Sequence, residues 1–265
     1  MKVLLSDIGG VVARDLYNDL LDRLLLQECS SGAPPTEQSI FDRIMKCAQD
    51  SWSVYKLGQC DETQFFLNIT SQSPLVQEIR RRGFLISSSY VVDDDVVVVE
   101  STNSWTADEE ERLVVQFLMR EIREKQLRLF DHVVQMMLDW KEKYAVENHV
   151  VFAVLSNHSV EWLPELFRIY ADRLGVLFDR KSLIFNSALI GAAKPDREAF
   201  DIARRSIERE LGLADGGVGV PILFVDDKMA NVNAAIDAGL SAFHFNALQH
   251  EVSCLEDQLN TFFLN

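Results

Sequence analysis

Three unbroken apolar runs, Val3–Leu5, Val150–Leu155 and Ile222–Val225, end in the same way. Each passes at its carboxyl side into polar residues that suit a buried strand poorly: Ser6-Asp7, Ser156-Asn157 and Asp226-Asp227. A run that is apolar at every position reads as a strand buried on both faces, as in a parallel sheet. In open α/β sheets the ligand crevice lies outside the carboxyl ends of the strands. Three polar strand ends in one chain therefore point to one shared site. The first is followed by Gly9-Gly10, a pair that weakens a fold unless the backbone there must bend sharply or approach another group closely.

Helices fit between and after these runs. Asp196 is placed to cap a helix running to about Leu211, with the stripe Ala199/Phe200, Ala203, Ile207 and Leu211 and with Gly212 as its stop. A second helix is expected from about Met229 to Ala238, ending at Gly239, and Ser241–Phe245 reads as a further strand. The segment 14–130 differs. It shows helical periodicity over 16–27, 38–56 and 109–129, broken at Pro34-Pro35, and predicts a mainly helical domain inserted after the first strand. Within it "FLISSSYVVDDDVVVVES" (84–101) predicts a β-hairpin turning at Asp93–Asp95, whose acids read as solvated turn residues. The expected organisation is thus a core of residues 1–13 and 131–265 around an insertion of 14–130. There are no internal repeats, and the glycine-rich stretch 212–221 lacks the Lys-Ser/Thr of a phosphate loop, so it reads as a linker.

Composition narrows the function. With 48% apolar and 25% charged residues, the 265-residue chain can bury a large core, and a net charge of −15 argues against binding a phosphate backbone. A small anionic substrate is compatible with that charge, because a divalent ion reverses the sign of a local field. The four cysteines lie far apart with no C-x-x-C pair, which predicts reduced, mostly buried thiols in a cytoplasmic protein. No apolar run approaches membrane-spanning length, and Asp7 interrupts the opening one before a signal sequence could form.

Asp7, Ser156-Asn157, Lys194 and Asp226-Asp227 follow one another in an order that resembles the four motifs of the haloacid dehalogenase (HAD) superfamily. The matching stretches are "SDIGGVV", "VLSNHS", "GAAKPDREAF" and "ILFVDDKMANVNAAIDAGL". The long gap between Asp7 and Ser156 leaves room for a cap domain, and the short gap from Ser156 to Lys194 leaves none. That spacing is similar to the helical-cap subgroup of soluble epoxide hydrolase phosphatase domains and sugar-phosphate phosphatases. "YKLGQCDETQFF" (55–66) is similar to a cap segment of that subgroup.

The resemblance implies a Rossmann-like, doubly wound parallel sheet and a Mg²⁺-dependent phosphatase acting on a small phosphorylated metabolite. Asp7 would be the nucleophile, through an aspartyl-phosphate. The carboxylates of Asp7 and Asp226 and the carbonyl of Gly9 would hold Mg²⁺, an ion that selects hard oxygen ligands. Lys194 and Ser156 would contact the phosphate, Asn157 and amides of the first turn would add donors, and Asp227 would hold Lys194 or a metal-bound water. Each residue also has a plain structural reading: Lys194 as a solvated side chain, Ser156-Asn157 as a cap, Asp226-Asp227 as acids at a helix start. His158 reads as a surface or capping residue, and His132, His149, His244 and His250 lie outside every motif. Trp52, Tyr55, Phe65 and Phe66 read as core of the insertion. Tyr55 and Lys56 are its first candidates for substrate contact.

One departure qualifies the resemblance. Most phosphatases of the superfamily carry a second aspartate two residues after the nucleophile, as acid and then base, and here that place is Gly9. Only the carbonyl-ligand role carries over. The alternative reading is therefore a weakly active or inactive HAD-fold protein that binds phosphate or a partner.

Overall fold

The computed structural model describes residues 1–15, 20, 35–81, 90–92, 95–97, 106–212 and 219–264. The chain opens with strand β1 (Lys2–Ser6) and then leaves the sheet for helices α1 (Pro35–Tyr55), α2 (Glu62–Gln72) and α3 (Leu75–Arg81), a ladder of β2 (Tyr90–Val92) and β3 (Asp95–Val97), and helix α4 (Ala107–Glu121). It returns through α5 (Asp131–Trp140), β4 (Val150–Ser156), α6 (Trp162–Ile169), α7 (Ala171–Leu177), β5 (Ile184–Asn186), α8 (Ser187–Ile190), α9 (Arg197–Glu210), β6 (Ile222–Asp226), α10 (Met229–Asp237), β7 (Ser241–His244) and α11 (Val252–Phe263).

Five of these strands form one parallel sheet in the order β5-β4-β1-β6-β7. Val3 pairs with Val151 on one side and Ile222 on the other, so the three all-apolar runs lie side by side at the centre. The chain winds from β1 outward through β4 and β5 and then crosses to β6 and β7 on the other side of β1, so the carboxyl end of β1 is the switch point where such sheets bind ligands. Alternate residues feed two cores. Val3, Leu5, Ala153, Leu155 and Phe224 pack with Phe200, Ala203 and Ile207 of α9 and Ala235 of α10. On the opposite side Trp140 of α5 lies 6.1 Å from Phe152 of β4 and 5.5 Å from Phe263 of α11, with its indole N–H donating to Asn260 Oδ1 at 2.9 Å. Helices on both faces make the sheet doubly wound, as expected.

The chain divides into two compact units: Met1–Asp15, Lys56–Gln59 and Leu127–Asn265 in one, Leu16–Tyr55 and Cys60–Gln126 in the other. Relative to expected boundaries at 14 and 130, the short segments beside them fall with the sheet unit. The reason is pairing of the two crossings: Arg14 N–H donates to Arg128 O at 3.0 Å and Phe130 N–H to Val12 O at 2.9 Å.

The second unit is mainly helical. Tyr55 stacks on Phe65 at 4.5 Å, and Trp52 and Phe66 meet Phe65 edge-on, which makes this aromatic group core. Pro35 opens α1, where its missing N–H costs nothing. Thr106 and Glu109 close a capping box on α4. In the β2–β3 ladder Tyr90 pairs with Val97 and Val92 with Asp95. The helix expected over 16–27 (Leu20 excepted), Asp93 and Asp94 of the expected turn, and the linker 213–218 lie outside the described residues. Cys47, Cys60 and Cys254 form no disulfide; contrary to the expectation of mostly buried thiols, the first two are half-buried and Cys254 is exposed. Among the described residues no helix is long and apolar enough to cross a membrane.

Candidate active site

The ends of β1, β4 and β6 bring together Asp7, Ser156 and Asp226, and the loop before α9 adds Lys194. The Lys194 side chain is wholly buried. Its ammonium lies 3.0 Å from Asp7 Oδ1 and 2.6 Å from Asp226 Oδ2. Ser156 Oγ donates to the same Asp7 oxygen at 2.7 Å. The other Asp226 oxygen accepts from Lys228 N–H at 2.8 Å and from Asn231 Nδ2 at 2.9 Å. Asp227 completes the group: one carboxylate oxygen from each of Asp7, Asp226 and Asp227 lies within 4.8 Å of the others. Its Oδ1 is sealed from solvent and has no hydrogen-bond partner among the described residues.

Two expected roles change. Asn157 does not offer its amide to the site. Nδ2 donates to Lys194 O at 2.7 Å and Oδ1 accepts from Lys194 N–H at 2.9 Å, so Asn157 clamps the backbone that carries the lysine. Asp227 loses one of its two expected partners: Lys194 is shared between Asp7 and Asp226 instead, which leaves a metal-bound water as the other. In the turn after β1 the amides of Ile8, Gly10, Val11, Val12 and Ala13 are all engaged within the turn. That leaves Gly9 N–H as the amide there without a partner among the described residues.

Charge balance follows from burial. Burial works to raise the Asp7 carboxyl, but Lys194, the Ser156 hydrogen bond and Lys228 outweigh it and hold Asp7 below the usual carboxylate range. Asp226 goes the other way, because burial and the Asp7 charge outweigh Lys194. Burial first, and the Asp7 charge second, push Asp227 up to about 7. Lys228 has an exposed side chain, and the surrounding carboxylates of Asp15, Asp227, Asp7 and Asp226 hold it above the usual lysine range; its ammonium lies 3.4 Å from Asp15 Oδ2.

Several residues of the site carried no signal in the spacing of the motifs. Asn231 and Lys228 complete Asp226, and His244 on β7 holds the Asp227 carbonyl at 2.9 Å. Asn231 lies five positions after Asp226, within the first turn of α10, and that spacing is the signal that could have found it. His158 is buried rather than on the surface, with its N–H bonded to Ser187 Oγ at 3.1 Å. The Ser187 hydroxyl also donates to Lys56 O at 2.5 Å, tying the Lys56 segment to the sheet unit.

No protein-family model matches the chain, and no curated protein matches it. Solved structures do. A HAD-family enzyme from Bacteroides thetaiotaomicron is 15% identical with a TM-score of 0.51, over 97% of this chain and 98% of that one. A mutant of that enzyme, in complex with magnesium and inorganic phosphate, matches with the same identity and score over 96% and 98%. A dehalogenase is 13% identical with a TM-score of 0.54, over 100% and 98%. A HAD-like hydrolase from Porphyromonas gingivalis is 15% identical with a TM-score of 0.50, over 98% of both chains. At this level of identity the likeness is one of fold, and the fold of this chain is that of the HAD enzymes.

Proposed function

We propose that the protein is a Mg²⁺-dependent phosphatase that transfers the phosphoryl group of a small metabolite to Asp7 and then to water. The observation that carries this reading is a buried lysine shared by the carboxylates of Asp7 and Asp226, with a third carboxylate, Asp227, beside them whose Oδ1 has no hydrogen-bond partner among the described residues. Three hard oxygen donors within 4.8 Å, one of them from an aspartate whose carboxyl is raised to about 7, fit a small divalent cation. Asp7, Asp226 and Asp227 would hold it, with the Gly9 carbonyl in the set that the resemblance implies. When bound, the ion supplies charge neutralisation for the phosphoryl oxygens.

The remaining chemistry belongs to the chain. Asp7, kept ionised by Lys194 and Ser156, attacks phosphorus, and the leaving oxygen departs with the bonding pair. Lys194 supplies fixed positive charge where negative charge accumulates on the equatorial oxygens, and Ser156 Oγ and the free Gly9 amide add donors. Asn157 keeps Lys194 in place through two backbone bonds.

A second reading, a HAD-fold protein that binds phosphate or a partner and turns over slowly, is favoured by one observation. Gly9 offers no acid, and nothing stands within 4 Å of where its side chain would begin. The dehalogenase-like fold neighbours supply a third possibility, hydrolysis at carbon, which needs no metal. A screen of phosphorylated metabolites and aryl phosphates in excess Mg²⁺, repeated in chelator, separates the three. The phosphatase reading predicts phosphate release that is lost in chelator and restored by Mg²⁺ but poorly by Ca²⁺, whose longer bonds and larger coordination number would misplace Asp7. Full activity in chelator would overturn the metal assignment. No turnover with phosphate still bound would favour the second reading.

A further inference from the structure

Cleavage of an aspartyl-phosphate by water needs a group to take the water's proton, and a positioned base contributes ~10²–10⁴-fold. The residues placed so far leave that role open. Asp7 carries the phosphoryl group, Lys194 is bonded to two carboxylates, Asp226 and Asp227 belong to the cation site, and Gly9 has no side chain. Asp15 is drawn to Lys228.

His158 is the titratable group that remains. It lies two residues beyond Ser156, whose hydroxyl bonds Asp7, and its backbone is fixed by Ser187. The residue is 5% exposed, yet neither ring nitrogen has a hydrogen-bond partner among the described residues, and Nδ1 is sealed from solvent. A buried imidazole nitrogen without a hydrogen bond is costly unless something outside the protein's own hydrogen bonds completes it. Among charged groups, Asp7 acts on it most strongly, followed by Asp15, Lys194 and Lys228, so the ring lies within the field of the site.

We propose that His158 is the general base for the second half of the reaction, accepting the proton of the water that hydrolyses the phosphorylated Asp7; this rests on the phosphatase reading above. The water oxygen bonds to phosphorus, and the bond from phosphorus to the Asp7 oxygen breaks. Its electron pair returns to the carboxylate, and the water's proton passes to a His158 ring nitrogen and on to solvent as phosphate leaves. Burial lowers the imidazole to about 4 against the pull of Asp7 and Asp15, so the ring is unprotonated at neutral pH and able to accept a proton.

The test is rapid mixing of the full-length enzyme with an aryl phosphate in saturating Mg²⁺, with phenolate release followed in wild type and His158→Gln. The variant is expected to release one phenolate per site at the wild-type rate and then slow ~10²–10⁴-fold. Acid quenching should recover phosphate on the peptide that contains Asp7. Added imidazole should speed the slow phase of His158→Ala. A steady-state rate in His158→Gln within a small factor of wild type would overturn the proposal, as would equal slowing of both phases. If Gln at 158 prevents folding, Ser187→Ala leaves the ring present and loosens its backbone anchor. It must then slow the second phase alone, and an unchanged second phase overturns the proposal. Absence of turnover by the wild-type enzyme would refute the phosphatase reading and this proposal together, whereas wild-type turnover with a normal slow phase in His158→Gln refutes this proposal alone.

Discussion

At Gly10 the backbone turns through φ +74°, and a side-chain carbon there would collide with the Asp227 carboxylate. That glycine is required by conformation and by close approach. Its neighbour is not: Gly9 is outside the left-handed region and has open space around it, so a side chain can be added. Gly9→Asp should therefore fold. If a leaving-group acid is what position 9 lacks, it should raise turnover of alkyl phosphates more than of aryl phosphates, whose leaving groups depart unprotonated. Gly9→Ala serves as the control for lost backbone freedom, and equal alkyl-phosphate activity of the two folded variants would contradict the idea. The residue scale is also where the sequence was most and least readable. Asp7, Ser156 and Asp226 stood out because acids and a hydroxyl suit the end of a buried strand poorly, and Lys194 because it follows them in the order of the motifs. The partners of Asn157 and the depth of His158 did not, because spacing fixes where a strand stops but not which backbone a side chain meets or what covers it.

Among the elements, the strands that run apolar at every position, β1, β4 and β6, were legible because burial on both faces leaves only one kind of sequence. Strand β5 was not. Its three residues, Ile184, Phe185 and Asn186, are too short to set up a period, and pairing with β4 makes them a strand. Helix α9 falls where its stripe and Gly212 put it, but Asp196 stands at its start without a side-chain capping bond. The helix is held by its buried face instead. Phe200 is 1% exposed and meets Phe224 edge-on at 5.3 Å, in the core under the site. Phe200→Ala should cost about 3–5 kcal/mol in urea unfolding, as large core truncations do. A loss below ~1 kcal/mol would mean that packing on α9 does not hold this half of the sheet.

On the scale of the whole molecule, an acidic chain keeps two lysines, Lys194 and Lys228, beside a cluster of carboxylates at the switch point of its sheet. That arrangement lets a protein of net charge −15 receive an anion, provided a cation offsets the acids. Everything in the account converges on the Asp7 carboxylate as the atom group that takes the phosphoryl. The most direct measurement compares wild type with Asp7→Asn, an amide of nearly the same shape and far weaker nucleophilicity. Both are assayed for phosphate release in Mg²⁺ and analysed by mass spectrometry after acid quench. Wild type should turn over and yield the peptide bearing Asp7 with a phosphoryl group attached, while folded Asp7→Asn should do neither. Retention of more than a few per cent of wild-type activity by Asp7→Asn, in a preparation free of contaminating phosphatase, would contradict the account.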